Sequence, residues 1–384
     1  MQLLELHRPD AHDAEVQRPR RVGAATRQMR LAGPFGMRHG GTLPFVDMAY
    51  ETWGELSPAR DNAILILTGL SPRAHARSSA ADPSPGWWEE MIGPGHPIDT
   101  DRFHVICVNN LGSCFGSTGP ASRNPATGRA YGLDFPVLTI EDLAQAAHGV
   151  VGGLGIHRLH TLVGPSLGGM TALAYAVMYP DGLRHLMSIS SAARVTARAI
   201  AVHSLQREAI RCDPAWRGGA YPPDRPPVDG MRLARKIGMT SYRSAQEWET
   251  RFGRERTESW SEAPFGVEFE VESYLEAHAR KFVHAFDANC YLYLSRAMDL
   301  FDIAEHGGCF ESGLAHVQAE RTLIVGVETD TLFPLHQQRD LSGGLRSTGH
   351  VVQHVELPSV QGHDAFLVDL DHFGPVIDGF LREG

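Results

Sequence analysis

The most regular feature of the chain is a series of short apolar runs separated by longer amphipathic segments. Apolarity within each run is continuous rather than alternating, which is typical of strands covered on both faces in a parallel sheet. The predicted strands are residues 63–67, 103–108, 161–163, 186–189, 322–327 and 351–357.

Helical signals fall between these runs. Thr139 and Asp142 have the spacing of a capping box that opens a helix towards Gly152. Residues 168–179 are rich in Ala, Leu and Met and stop at Pro180. The alternation of strand and helix predicts a doubly wound α/β domain with a mostly parallel sheet.

One long block interrupts the alternation. Residues 193–315 are rich in Arg, Glu, Trp and Tyr, and helical spacing returns in its second half. We interpret this block as a mostly helical lid insert in a core domain made of residues 29–192 and 316–384. Residues 1–28 have no periodicity and are predicted to be a loose N-terminal tail.

Composition restricts the functional classes. The formal net charge of -10 in 384 residues gives no support to nucleic-acid binding. No apolar run is long enough to span a membrane, and no secretory signal precedes the domain. The five cysteines form no C-x-x-C pair, so we expect neither a disulfide framework nor a metal site, and a cytoplasmic location.

The candidate nucleophile is Ser166. Residues 164–168 read Gly-Pro-Ser-Leu-Gly and match G-x-S-x-G, directly after a predicted strand and directly before a predicted helix. This context is typical of the nucleophile elbow of the α/β-hydrolase fold. A glycine-rich turn with an incidental serine is the alternative, and the flanking elements favour the elbow.

The acid and the base should follow Ser166 in that order, each after a later strand. Asp330 follows the strand at 322–327 and is the preferred acid, with Glu328 as the alternative. His363 lies after the last strand and is the predicted base. The backbone N–H groups of Leu167 and Leu70 are the predicted oxyanion hole.

Several longer motifs resemble the homoserine O-acetyltransferase family of α/β-hydrolase acyltransferases, from about Tyr50 to the C-terminus. They include residues 49–54, 86–88, 93–95, 112–120, 166–170, 286–289, 296–299 and 362–367. The resemblance implies ping-pong transfer from an acyl-CoA co-substrate to the hydroxyl of a small amino acid. It implies no permanently bound cofactor, and it implies a homodimer.

The resemblance also implies two acceptor-binding residues. Arg235 resembles the residue that binds the substrate carboxylate, and Asp364 resembles the partner of the substrate ammonium. A cation for the carboxylate and an anion for the ammonium suit a zwitterion. By position alone, Arg235 could be a helix-surface charge and Asp364 an N-cap of the last helix.

The loop Gly69-Leu70-Ser71-Pro72 differs from the usual homoserine pattern, because Pro72 stands where glycine is common. Proline adds bulk and fixes φ, so the acceptor pocket should be narrower. This loop and residues 204–210 resemble the L-serine branch of the family. L-Serine is therefore the predicted acceptor, and L-homoserine the alternative.

The donor prediction depends on His203. Succinyl-using relatives place an arginine at this position, so a histidine favours acetyl-CoA over the alternative, succinyl-CoA. The product would be O-acetyl-L-serine, a precursor suited to cysteine synthesis. A serine esterase or thioesterase is a more distant alternative, and an intact Ser, Asp and His in order argues against a non-catalytic binding module.

Overall fold

A computed structural model describes residues 22–258 and 264–383, and its centre is an eight-stranded sheet. The strands in chain order are β1 (Arg27–Arg30), β2 (Asp47–Trp53), β3 (Ala63–Leu67), β4 (His104–Val108), β5 (Leu159–Pro165), β6 (Leu183–Ile189), β7 (Arg321–Val327) and β8 (Val352–Leu357). Their order across the sheet is β1-β2-β4-β3-β5-β6-β7-β8. The pairs β1–β2 and β2–β4 are antiparallel, and all other pairs are parallel.

The central strands are buried on both faces, which explains their continuous apolarity. In β3, Leu65 packs into the hydrophobic core on one side of the sheet, and Ile64 and Ile66 pack into the core on the other. All three side chains are fully buried. The prediction of a doubly wound, mostly parallel α/β sheet is confirmed.

Five helices accompany the strands of the sheet. They are α1 (Ile140–Gly153), α2 (Leu167–Met178), α9 (Leu335–Ser347), α10 (Ala365–Val368) and α11 (Leu370–Arg382). The predicted capping box is present at the start of α1, where Thr139 and Asp142 exchange hydrogen bonds. None of the helices in the described parts of the chain is long and apolar enough to cross a membrane.

In the described residues, six α-helices lie between β6 and β7, and we call them the inserted helices. They are α3 (Ala197–Cys212), α4 (Val228–Tyr242), α5 (Ala245–Arg251), α6 (Glu270–Ala285), α7 (Ala288–Leu300) and α8 (Phe310–Leu314). Helix α4 packs on both α3 and α6, and α7 packs on α3 and α1. Among the described residues of this block, no strand joins the sheet.

Strands β1 and β2 were not predicted, because neither is a continuous apolar run. The side chains of β1 are mostly exposed at the sheet edge, and β2 contains the polar residues Asp47 and Glu51. The predicted tail therefore needs a different boundary, since Arg27 and Gln28 already pair with β2. Residues 1–21 of that tail lie outside the described residues.

Candidate active site

Ser166 occupies a tight turn between β5 and α2. Its backbone has φ 56° and ψ -124°, a conformation that costs energy for a residue with a side chain. A Cβ added at Gly164 would lie 2.1 Å from the carbonyl oxygen of Gly168, and one at Gly168 would lie 2.1 Å from that of Leu67. The glycines are therefore required by the close approach of strand and helix.

Ser166, His363 and Asp330 form one hydrogen-bonded series. The Oγ of Ser166 lies 2.9 Å from Nε2 of His363, and Nδ1 of the same ring lies 2.8 Å from Oδ2 of Asp330. All three side chains are buried, and they come from the carboxyl ends of β5, β7 and β8. This is the geometry of a nucleophile, a base and an orienting acid.

The carboxylate of Asp330 is fixed by the turn that follows it. Its Oδ1 accepts backbone N–H bonds from Leu332 at 2.8 Å and Phe333 at 2.9 Å, which leaves Oδ2 for His363. Glu328, the alternative acid of the sequence analysis, has an exposed side chain. The geometry therefore brings Asp330, rather than Glu328, to His363.

The charge around His363 favours the protonated ring. Burial opposes a positive charge there, but the Asp330 carboxylate and its hydrogen bond, together with Asp364, outweigh it and raise the pKa of His363. An imidazolium formed when Ser166 gives up its proton is therefore stabilised in place. This is the electrostatic condition for general-base catalysis.

The loop after β3 contributes the predicted oxyanion donor Leu70. In the described residues, the Leu70 N–H donates to no backbone carbonyl, and Leu167, as the first residue of α2, has no acceptor within its helix. The Nδ2 of Asn110 donates to the carbonyl of Gly69 at 2.8 Å, and that of Asn109 donates to Pro72 at 3.1 Å. Two asparagines thus hold this loop beside Ser166.

A small cavity of about 140 Å³ opens at Ser166 and His363. It is smaller than typical pockets for drug-sized ligands, so it suits an acyl group and a small acceptor. Aromatic side chains on its wall include Trp87, Tyr242 and Tyr291. The wall also includes every residue predicted for substrate recognition: Gly69, Leu70, Ser71, Pro72, His203, Arg235 and Asp364.

Arg235 reaches the cavity from α4 between aromatic rings. Its guanidinium carbon lies 4.6 Å from the ring centre of Phe282 and 5.5 Å from that of Tyr242. No carboxylate among the described residues lies within 4 Å of it, and its buried Nε has no hydrogen-bond partner there. The cation is therefore held by π systems, and its N–H groups remain available for an anionic ligand.

Asp364 lies on the other side of the cavity and is already ion-paired. Its Oδ2 is 3.3 Å from Nε of Arg243, and Nη1 of Arg243 is 2.9 Å from Oε1 of Glu247. The side chain of Asp364 does not cap the following helix. Arg243 therefore fixes the carboxylate towards the cavity, and the N-cap alternative does not describe it.

His203 is buried in α3, and a carboxylate holds its ring. Its Nδ1 lies 2.7 Å from Oδ1 of Asp299, whose Oδ2 is 2.7 Å from Nη1 of Arg207. A histidine held in this way carries its hydrogen on Nδ1, which leaves Nε2 for a ligand. Since Arg207 contacts the same carboxylate, His203 belongs to a cluster of three polar side chains.

The loop between β8 and α10 carries the base His363, and we call it the base loop. It rests directly on the backbone of the inserted helices. Gly362 has φ +69°, and a Cβ there would lie 2.7 Å from the carbonyl oxygen of Tyr242 and 2.8 Å from the N of Ser244. The Oγ of Ser244 donates to the carbonyl of Val360. The segment that positions His363 is thus in contact with the junction of α4 and α5.

Five residues that contact the loop after β3 or belong to the polar clusters at the cavity were not predicted as site residues: Asn109, Asn110, Arg207, Arg243 and Asp299. The two asparagines directly follow β4, so their place at the carboxyl end of a strand was an available signal. The pairings of Arg243 and Asp299 depend on how helices pack and have no local signal. In the described residues, no cluster of three or more His, Cys, Asp or Glu could hold a metal ion.

Comparison with known proteins agrees with this geometry. The model of the alpha/beta hydrolase fold matches residues 62–369. A protein named serine O-succinyltransferase from Litchfieldella anticariensis is 59% identical over 360 residues, covering 93% of this chain and 98% of that one. The homoserine O-acetyltransferase structure from Bacillus anthracis has a TM-score of 0.86 at 31% identity, covering 93% and 98%.

A third comparison involves a different activity. The crystal structure of esterase E22 superposes with a TM-score of 0.84 at 31% identity and covers 93% of this chain and 100% of that one. The fold and the site thus define an α/β-hydrolase-fold enzyme. Within that class, the chain belongs to the homoserine O-acetyltransferase family and is an acyltransferase.

Proposed function

We propose that this enzyme transfers a succinyl group from succinyl-CoA to the hydroxyl of L-serine through an acyl-enzyme on Ser166. The hydrogen-bonded series of Ser166, His363 and Asp330, in a cavity that also contains Arg235 and Asp364, is the observation that carries the proposal. The 59% identical relative named serine O-succinyltransferase supports the choice of donor and acceptor.

In the first half-reaction, Ser166 attacks the thioester carbonyl while His363 takes its proton. The Leu70 and Leu167 N–H groups stabilise the oxyanion of the tetrahedral intermediate. The intermediate then collapses, the C–S bond breaks, and CoA leaves with the proton from His363. The product of this step is a succinyl ester on Ser166 and a neutral His363.

In the second half-reaction, the hydroxyl of L-serine takes the place of the thiol. His363 removes its proton, the alkoxide attacks the ester, and the same proton returns to Ser166 as the O–C bond breaks. The product is O-succinyl-L-serine. The inserted helices α3, α4 and α7 contribute to the cavity wall and limit competition by water.

For the acceptor, we propose that Arg235 binds the carboxylate of L-serine and Asp364 its ammonium group. An Arg with free N–H groups and a carboxylate fixed by Arg243 suit these two charges. Pro72 lies on the same wall. The bulk of its ring, compared with a glycine there, supports a pocket that prefers L-serine to L-homoserine.

For the donor, the relatives favour succinyl-CoA over the acetyl-CoA that sequence analysis preferred. That preference considered His203 only as a replacement for arginine, whereas in the structure Asp299 contacts its ring and Arg207 contacts the same carboxylate. We propose that His203, oriented through Nδ1 by Asp299, turns Nε2 towards the free carboxylate of the succinyl group. Because that carboxylate is an acceptor, its binding would require a proton on Nε2, which would then donate a charge-assisted hydrogen bond.

The direct test is CoA release by purified enzyme with succinyl-CoA or acetyl-CoA, each combined with L-serine or L-homoserine. Ser166→Ala is the blank. Fastest release with succinyl-CoA and L-serine supports the full proposal. Fastest release with acetyl-CoA would restore the first donor prediction, and fastest release with L-homoserine would contradict the role of Pro72.

The esterase structure favours hydrolysis as a second candidate function. The two functions differ in what accepts the acyl group. CoA release that depends on the concentration of L-serine and yields O-succinyl-L-serine supports transfer. Release at the same rate without any amino acid would identify a thioesterase.

Three further expectations remain proposals: a homodimer, a cytoplasmic location and no permanently bound cofactor. O-Acyl-L-serine is activated for displacement by a sulfur nucleophile, so we propose that a later β-replacement reaction such as cysteine formation consumes the product. Light scattering measures the molar mass of the purified protein in solution, and we expect twice the mass of the monomer.

A further inference from the structure

Helix α6 carries a line of ring and cationic side chains on one face, and we call it the α6 stripe. It consists of Tyr274, His278, Lys281 and Phe282, which have the three- and four-residue spacing of helical neighbours. The rings of Tyr274 and His278 have centroids 4.2 Å apart. The side chains of His278 and Lys281 are exposed, whereas Tyr274 and Phe282 are half-buried.

An arginine lies over each end of the stripe. The guanidinium carbon of Arg251, at the end of α5, is 4.7 Å from the ring centre of Tyr274. That of Arg235 is 4.6 Å from the ring centre of Phe282, and Arg235 also lines the cavity at Ser166. The stripe therefore runs from an exposed cation, along about two turns of helix, to the reactive cavity.

Positive charge around the stripe is in excess. Arg235, Arg243, Arg251 and Lys281 all disfavour protonation of His278, whose pKa is lowered first by partial desolvation of the ring against its neighbours and then by these cations. Among the described residues, these four cations have ion pairs with only two carboxylates, Glu247 and Asp364. In a chain of net charge -10, such an excess is a local feature.

The neighbouring face of α6 is arranged differently. There Glu276 lies within 4 Å of Arg232, Lys236 and Arg280, so each of these three cations has a carboxylate partner. Arg280 and Lys281 are adjacent exposed residues with one difference: Arg280 has a carboxylate at 2.7 Å, and Lys281 has none among the described residues. The unpaired charges thus face the stripe.

We propose that the α6 stripe binds the phosphate-bearing nucleotide end of the acyl-CoA donor, an inference that rests on the proposed function. Lys281 and Arg251 would contact phosphate oxygens, and the rings of Tyr274 and His278 would stack with the adenine. L-Serine needs none of these groups, because it is small and is held beside Ser166. The thioester arm would then pass Arg235 to reach the nucleophile.

The test compares two donors that share the acyl group but differ in phosphate: succinyl-CoA and succinyl-N-acetylcysteamine. In Lys281→Gln and Arg251→Gln, we expect the KM for succinyl-CoA to rise about threefold to tenfold. The kcat with that donor and the kinetics with the short thioester should not change. The KM for succinyl-CoA in the native enzyme should also rise with salt, and less so in the variants.

Arg280→Gln is the matched control and should leave the KM for succinyl-CoA within twofold of native. Equal losses with both donors, or an equal loss in Arg280→Gln, would overturn the proposal, and so would unchanged kinetics. Calorimetric titration with CoA alone separates this inference from the proposed function. Weaker CoA binding by Lys281→Gln supports the stripe even if no acyl transfer to L-serine is found, and unchanged binding contradicts the stripe even if transfer is confirmed.

Discussion

The site has a sheet half, at the ends of the strands, and a helical half, on the inserted helices, and they differ in how many polar groups have hydrogen-bond partners. In the sheet half, Ser166, His363 and Asp330 are buried and linked by hydrogen bonds, and two backbone N–H groups donate to the other carboxylate oxygen of Asp330. On the inserted helices, Arg235 has a buried Nε without a partner among the described residues. The polar groups of the sheet half are thus hydrogen-bonded before any ligand binds, whereas the guanidinium of Arg235 in the helical half can still pair with an anionic ligand.

This difference suggests that the sheet half carries out acyl transfer and that the helical half selects the substrates. A preorganised series on rigid strand ends can activate many acceptors, including water. We expect the choice of acceptor and donor to depend on charges supplied by α3, α4 and the base loop. Variants of the sheet half should lower the rate with every substrate, whereas variants of the helical half should change KM or substrate preference.

The largest effect is expected for Ser166→Ala. Removing the nucleophile should lower kcat for acyl transfer by about 10⁵-fold or more, because no acyl-enzyme can form. Rapid-quench mass spectrometry should detect a mass increase of one acyl group on native enzyme and none on the variant. Burst formation of an acyl-enzyme by Ser166→Ala would contradict the assignment.

Asp330→Asn should lower kcat by about 10⁴-fold, since the amide cannot hold the Nδ1–H tautomer of His363. Asp330 raises the pKa of His363, so its removal should move the acid limb of kcat/KM to lower pH. The base must be neutral to act, which gives the shift this sign. Glu328→Gln is the control and should stay near native; the opposite result would make Glu328 the acid.

Arg235→Ala tests the helical half. Loss of a charge-assisted contact to the acceptor carboxylate should raise the KM for L-serine by about 10-fold to 100-fold. Acyl-enzyme formation should change much less than the second half-reaction, as single-turnover kinetics would show. Arg232→Ala removes a half-buried cation of the same helix that is already paired with Glu276, and it should leave the KM unchanged. An equal rise of the KM in Arg232→Ala would show that Arg235 has no specific role in binding the acceptor.

Pro72→Gly should have the smallest effect. A wider pocket should increase kcat/KM for L-homoserine relative to L-serine by about tenfold, the lower end of the range of about 10-fold to 200-fold that one methylene provides. The measurement is direct competition between the two amino acids for one acyl donor. An unchanged product ratio would show that Pro72 does not set the acceptor preference.

Ser166, Asp330 and His363, which the structure brings together, could be indicated from the sequence because their signals are local. A nucleophile elbow requires strand, turn and helix in a fixed order, and acid and base follow later strands. Strands β1 and β2 were not predicted, because antiparallel strands near an edge need not be continuously apolar.

Only part of the helical half could be predicted from the sequence. Family motifs indicated Arg235, His203 and Asp364, but not the partners that define their electrostatics. Arg243 meets Asp364 across 121 positions of chain, and Asp299 meets His203 across 96. Such pairs arise from packing between helices, and no periodicity or motif spacing predicts them. The donor prediction, acetyl-CoA, is not confirmed, and it considered His203 without the contacts that Asp299 and Arg207 make around it.

The seating of Gly362 on Tyr242 and Ser244 bears on how substrates come and go. A movement of the inserted helices away from the sheet would remove the contacts that support the loop carrying His363. Substrates and products should therefore enter and leave through a channel that stays open, and both half-reactions should use that channel. CoA must then dissociate before L-serine can bind, and excess acyl-CoA should inhibit turnover by occupying the channel that L-serine needs.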